Sequence, residues 1–499
     1  MDGITITPSK EATYLGVIFD SKLSWSQHIF NKCDKALTNL HACNRAVGKT
    51  WGISPQGMHW LYNQVILPAL TYAAFAWQHT VDHRLYIRDR LDAVQRNAAL
   101  MITRGLKSTP TANLEITAGL IPLNLKLQEL SINTSLRLKL YNHWSRNYVF
   151  GSTGSSSSHA YAIDKLSSNI PLLSCNIVDT IQATYILDHN FTVILEDRPT
   201  AIHNIGNIPS SHWSIYTDGS KIKQLSGAGF CVFYDNKEFH RASYSLGSIP
   251  TVFQCELFAL HMAATWAKIN INLTQENLHF LSDSTAALQA INSTQINSRQ
   301  ILSTVTVLNE LGSTHKVTLR WVPGHEGVAG NELADTVAKL GSSCAPIGPE
   351  PFVPFSNSCI KQEIRNYIHR KHLSQYKNID LSQKGKLPLT LFLVKYKYKP
   401  IRTTGKDLRW ITWLLSGHSP LAYFQYRSKN FTSPICDSCH GSEETSEHYL
   451  CECPAFATQR QKIFGNTTIK WSVLTSFRIE ALLKYIESTG RFNREHLFG

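Results

Sequence analysis

Four carboxylates and one imidazole are spaced along residues 212–342 so that separate elements could deliver them to a shared point. Asp218 lies in Tyr216-Thr217-Asp218-Gly219-Ser220, Glu256 in Cys255-Glu256-Leu257, and Asp283 in Leu281-Ser282-Asp283-Ser284. His325 lies in Pro323-Gly324-His325-Glu326, and Asp335 closes Gly330-Asn331-Glu332-Leu333-Ala334-Asp335. Carboxylate oxygens suit Mg²⁺, a hard cation that takes oxygen ligands in near-octahedral geometry. Crowded carboxylates repel one another, so some would hold protons above their ordinary range until a cation relieved them. An Asp at a strand end is by itself usually a turn or a helix cap. The case for chemistry rests on the set and its order.

A second set has different chemistry. Cys436-x2-Cys439-x8-His448-x4-Cys453 offers three thiols and an imidazole. Thiolate and imidazole are ligands for tetrahedral Zn²⁺, and a close Cys-x2-Cys pair is a usual half-site. Cys451 and His440 are possible substitutes, which leaves the fourth ligand open between Cys453 and Cys451.

The elements around the carboxylates follow from pattern. Trp213, Ile215 and Thr217 alternate with polar neighbours, a strand that ends at Asp218-Gly219-Ser220. Residues 227–235 and 237–246 read as two more strands, with Asp235-Asn236 turning between them. Phe253, Leu257, Leu260, Ala264 and Ala267 recur at helical spacing, with Glu256 one residue off the stripe. A strand over 278–282 delivers Asp283, where Ser284 can cap the next helix. Residues 316–322 make a fifth strand, a Gly-rich loop carries His325, and a helix over 331–340 holds Asp335.

These motifs resemble the type 1 ribonuclease H domain, and the resemblance covers residues 212–342. It implies an α/β fold with a mixed five-stranded sheet and flanking helices. It also implies that Asp218, Glu256, Asp283 and Asp335 form one cluster binding two Mg²⁺ ions. Such a pair, ~3.5–4 Å apart, activates water and stabilises the leaving oxygen of a phosphodiester. His325 would be an accessory proton carrier or product-release residue. The implied activity is endonucleolytic cleavage of the RNA strand of an RNA–DNA hybrid. Two alternatives are a catalytically inactive nucleic-acid-binding remnant of a mobile element, and a DNA transposase or integrase on a similar sheet.

Composition sets the surroundings. Lys and Arg number 49 against 36 Asp and Glu, a net charge of +13. The 212–342 stretch is close to neutral, whereas residues 343–430 hold fifteen basic against four acidic residues, where a polyanion would sit. Lys395-Tyr396-Lys397-Tyr398-Lys399 alternates cations with aromatics, suited to phosphates and bases or equally to the two faces of an ordinary strand. Hydrophobic residues make up 43% of the chain, enough for folded cores. Seven of the eleven cysteines are scattered singly. No signal peptide is evident and the longest apolar run, 65–77, is too short to span a bilayer. The expectation is a reducing intracellular compartment, nuclear or cytoplasmic, with no membrane partner.

Upstream, residues 13–20 read as a strand. Trp25, Ile29, Cys33, Leu37 and Leu40 mark an amphipathic helix. A second helix starts near Met58 and runs toward Trp77, bent at Pro68. A third, 85–104, is closed by Gly105. Tyr14-Leu15-Gly16-Val17, Leu91-Asp92-Ala93-Val94-Gln95-Arg96 and 114–123 are similar to the end of a non-LTR retrotransposon reverse transcriptase. That resemblance implies a thumb-like helical region, with the fingers and most of the palm upstream of Met1. The sequence has no Asp-Asp pair, so DNA synthesis by this chain alone is not expected. Gly417-His418-Ser419-Pro420-Leu421 and the Cys-Cys-His-Cys set are similar to the tail of the same polyproteins. The expected divisions are 1–150 helical, 151–211 linker, 212–342 ribonuclease H, 343–430 basic and helical, and 431–499 a zinc-binding tail.

Overall fold

The computed structural model describes residues 9–46, 52–141, 143, 168–170, 178–205, 212–271, 275–378, 398, 401–474 and 478–492. The Ser-rich segment 151–158 and all of 395–399 except Tyr398 lie outside them. The chain divides into two compact units, the first built mainly from residues 167–364 and the second mainly from residues 1–135 with 365–499.

The first unit contains, in order, β1 (Thr180–Ile186), β2 (Phe191–Ile194), β3 (Trp213–Ile222), β4 (Leu225–Tyr234), β5 (Lys237–Gly247), α1 (Val252–Asn270), β6 (Asn277–Ser282), α2 (Thr285–Ile291), β7 (Gln295–Ser298), α3 (Arg299–Gly312), β8 (Lys316–Trp321) and α4 (Ala329–Ser343). The main sheet runs β2-β8-β6-β3-β4-β5. Strands β3, β4 and β5 form an antiparallel meander, and β6 lies parallel to both β3 and β8. This is the mixed sheet expected, with a sixth strand added: Phe191 to Ile194 pairs parallel with Val317 to Arg320. Four residues at a sheet edge leave little local pattern, so it is the pairing that makes them a strand. They fall in 151–211, the stretch read as linker, as does β1, which pairs antiparallel with β7.

Ile215, Leu257, Leu260, Ala264, Phe280, Leu308 and Leu319 form the core between sheet and helices. Helix α1 opens with a capping box in which Thr251 Oγ1 accepts from Gln254 N and Gln254 Oε1 accepts from Thr251 N, both at 3.3 Å. Helix α4 lies against β4 because Gly227 and Gly229 carry no side chain. A Cβ there would stand 2.2 Å from Ser342 N and 2.5 Å from Ala338 N.

In the second unit the helices Ser26–Asn44 and Leu85–Thr103 share one continuous apolar core with tail helices Gly405–Ser416 and Ile479–Thr489. Trp77, Leu91 and Val94 belong to it together with Trp413, Leu450 and Tyr485. The upstream helices and the cysteine-bearing tail therefore fold together. Pro68 lies in an unbroken helical run over 55–70, directly after a π turn over Tyr62–Ile66. The break comes at Thr71–Ala73, with Ala73 at φ 57°. Arg104, at φ 54°, ends the Leu85–Thr103 helix in place of Gly105. No described helix is long and apolar enough to cross a membrane.

Candidate metal centres

Strand pairing sets the first centre. In the β3–β6 register Thr217 faces Ser282, so Asp218, in the middle of β3, and Asp283, just past the end of β6, follow side by side. The strand expected to end at Asp218-Gly219-Ser220 runs on to Ile222, because pairing with β4 continues to Leu225. Gly219 admits α1 against β3; a Cβ there would stand 2.4 Å from Glu256 N. That approach brings Glu256 to Asp218. One oxygen from each of Asp218, Glu256 and Asp283 lies within 4.8 Å of the others. Asp218 and Glu256 are 6% and 7% exposed, and Glu256 Oε2 is buried without a hydrogen-bond partner. A buried unpaired carboxylate oxygen is costly in free energy unless a proton or cation meets it.

Asp335 stands beside this trio. It hydrogen-bonds Asp218 and accepts from Lys339 Nζ at 2.6 Å, one turn along α4. Burial raises the Asp218 carboxyl to about 7, and the charges of Asp283 and Asp335 add to the effect. Burial, then Asp218 and Asp283, push Glu256 well above its ordinary range. Burial raises Asp283 too, against a hydrogen bond from Asn331 and the charge of His325.

His325 is exposed, at φ 59° in the loop between β8 and α4, with Gly327 at φ 75°. Gly324 lies over Asp283, where a Cβ would stand 2.7 Å from Oδ2. Glu326 of this loop pairs with Arg198. The sequence reading missed three supports. Trp321 Nε1 donates to Asp283 O at 3.0 Å, Asn331 bonds the Asp283 side chain, and Lys339 holds Asp335. The i, i+4 spacings of Asn331, Asp335 and Lys339 were the available signal.

The second centre brings together Cys436, Cys439, His448 and Cys453, whose ligand atoms lie within 4.8 Å of one another. Cys436 Sγ is 3.9 Å from Cys453 Sγ, and Cys439 Sγ is 3.3 Å from His448 Nε2. The group takes Cys453 and leaves out Cys451, which is a buried free thiol. A π turn over His448–Glu452 explains the choice, since Cys453 N closes back on His448 O at 2.7 Å. Burial, with Cys436 beside it, raises the Cys453 thiol to about 12. Three sulfurs and an imidazole in one closed group match the donor set of structural Zn²⁺. Sequence gave no hint of the buried pair beside it: Glu444, fully buried, accepts from Arg491 Nε and Nη2 at 2.7 and 2.8 Å.

Residues 210–343 match the family model for RNase H. Over 128 residues the chain is 26% identical to the Retrovirus-related Pol polyprotein from type-1 retrotransposable element R1 4 of Nasonia vitripennis, covering 26% of this chain and 32% of that protein. Over 117 residues it is 21% identical to the R1 Pol polyprotein of the same wasp, covering 23% of this chain and 34% of the relative. The matched segment thus spans about a third of the length of these curated relatives. Among solved structures, RNase H1 of Halobacterium salinarum aligns at 19% identity and TM-score 0.23, covering 27% of this chain and 99% of that one. The chain carries an RNase H domain and is homologous to part of R1 retrotransposon Pol polyproteins.

Proposed function

We propose that this chain is a hydrolase that cleaves the RNA strand of RNA–DNA hybrids endonucleolytically, leaving 5′-phosphate and 3′-hydroxyl ends. The observation that carries the reading is the trio Asp218, Glu256 and Asp283 within 4.8 Å, with a buried Glu256 oxygen lacking a partner. An all-oxygen donor set at this density fits hard divalent cations. Asp218, Glu256, Asp283 and Asp335 would hold two Mg²⁺ ions. When bound, these supply activation of water and stabilisation of charge on the leaving oxygen.

The chain's own residues do the rest. Asn331 and Trp321 fix Asp283, and Lys339 orients Asp335. The backbone at Gly219 and Ser220, beside the cluster, receives the scissile strand, where contact with the 2′-hydroxyl separates RNA from DNA. His325, on its exposed loop, carries a proton or assists product release. Cys436, Cys439, His448 and Cys453 of the second unit would hold a structural Zn²⁺, and the basic residues of 343–430, which run from the first unit into the second, would meet phosphates. The deciding experiment is cleavage of a labelled RNA–DNA hybrid in Mg²⁺ by the chain and its Asp283→Asn variant, with duplex DNA as a control. Cleavage by the parent alone supports the reading. A folded parent that leaves the hybrid intact removes the enzymatic claim, and cutting of duplex DNA points to a transposase-like chemistry.

A further inference from the structure

A cavity of about 660 Å³ opens in the second unit, where the Gly417–Leu421 turn meets the segment leading into His448. Its lining is not that of a plain core gap. Tyr423, Phe424 and Trp471 supply aromatic surface. Ser419 and Ser446, both buried, bond each other at 3.3 Å and belong to the lining. His418 packs on Phe424 with ring centroids 4.9 Å apart, and its Nδ1 is 3.5 Å from Ser108 Oγ. Burial and the charge of Arg427 hold the His418 imidazole below its ordinary range, so it is a neutral hydrogen-bonding group at pH 7.

Charge is distributed unevenly around the opening. Glu444 lines the cavity, but Arg491 neutralises it with two hydrogen bonds and Ala422 N adds a third at 2.8 Å. Glu447, exposed, also lines the opening. Arg427 is exposed at the rim and makes no hydrogen bond or ion pair among the described residues. The site therefore offers stacking surface and hydroxyls within, and a cation at the mouth. Stacking tolerates any base, since every base has a π face, while a guanidinium takes a phosphate. The volume lies in the range of small-ligand sites, ~300–1,000 Å³.

We propose that this cavity binds one unpaired nucleotide, its base against Trp471 and Tyr423 and its phosphate on Arg427. The site is independent of the carboxylate cluster and of hybrid cleavage. The test uses the full chain loaded with zinc and follows tryptophan fluorescence against adenosine 5′-monophosphate, adenosine, inorganic phosphate and a single-stranded pentanucleotide. The monophosphate quenches saturably, adenosine binds about 10- to 100-fold more weakly through loss of a charged hydrogen bond, and phosphate alone gives no quench. Arg427→Gln brings the monophosphate down to the affinity of adenosine and leaves adenosine unchanged. Trp471→Leu removes the quench, and an unchanged melting curve for Arg427→Gln shows that the fold is kept. A pentanucleotide that binds tighter than the monophosphate identifies a strand as the source, and equal affinity identifies free nucleotide. Lack of saturable quenching, or equal competition by phosphate alone, overturns the proposal.

Discussion

Replacing Asp218 by Asn should make the cation-free RNase H domain more stable while abolishing cleavage. Asp218 has an ordinary value of 3.8 and is raised to about 7 in the fold. It binds its proton more tightly folded than unfolded. Its contribution to stability is thus complete below about pH 3.8 and is lost as the pH climbs through about 7. At 1.36 kcal/mol per pH unit, the penalty removed by Asn is about 4 kcal/mol at pH 8 and about 2 kcal/mol at pH 5, and it vanishes below pH 3.8. These are ceilings, because Asn keeps a polar group in the same buried place. For a unit near 200 residues each kcal/mol moves the midpoint by about 2–4 °C. The assay is thermal unfolding in chelator at pH 5 and pH 8, repeated with saturating Mg²⁺. Asp218→Asn should melt about 10 °C higher than the parent in chelator at pH 8. The gap should narrow at pH 5, and Mg²⁺ should close or reverse it, because only the parent keeps a full ligand set. An equal or lower melting point in chelator at pH 8 would refute the idea that these carboxylates repel one another in a dry site.

Other outcomes follow from the same structure. Gly219→Ala should lower hybrid cleavage by at least about tenfold, since a Cβ 2.4 Å from Glu256 N displaces α1 and ångström-scale misplacement costs rate; single-turnover kinetics would show it. In the second unit Glu115 is buried and accepts from Gln95 Nε2 at 2.5 Å, and burial raises its carboxyl from 4.5 to about 8. Its stabilising effect is complete below pH 4.5 and lost as the pH rises through about 8. Glu115→Gln should therefore be more stable than the parent by up to about 4 kcal/mol at pH 8 and equal to it near pH 4.5, by denaturant unfolding. Arg491→Met should cost about 3–5 kcal/mol by stranding the Glu444 charge, with part recovered in Arg491→Met/Glu444→Gln. Removing zinc should loosen helix Leu85–Thr103 as well as the cysteine turns, because they share a core; hydrogen exchange with and without chelator would read this.

Much of the first centre was legible because its chemistry sits on or beside locally patterned elements. Asp218 lies on an alternating strand, Glu256 flanks a helical stripe, Asp283 follows a short apolar run and Asp335 lies within a helix. Each position needs only the period of its own segment. The cysteine pair was legible for the same reason. Three things depended on contacts distant in sequence. The strand Phe191–Ile194 exists because β8 pairs with it, and nothing in four residues announces that. The choice of Cys453 over Cys451 rests on a π turn whose hydrogen bond the spacing does not specify. The union of residues 1–135 with the tail is decided by apolar faces that recognise one another across more than two hundred intervening residues. Periodicity tells which face of a helix is buried; only the tertiary fold decides against what, because burial of apolar area is non-directional and satisfied by any complementary surface.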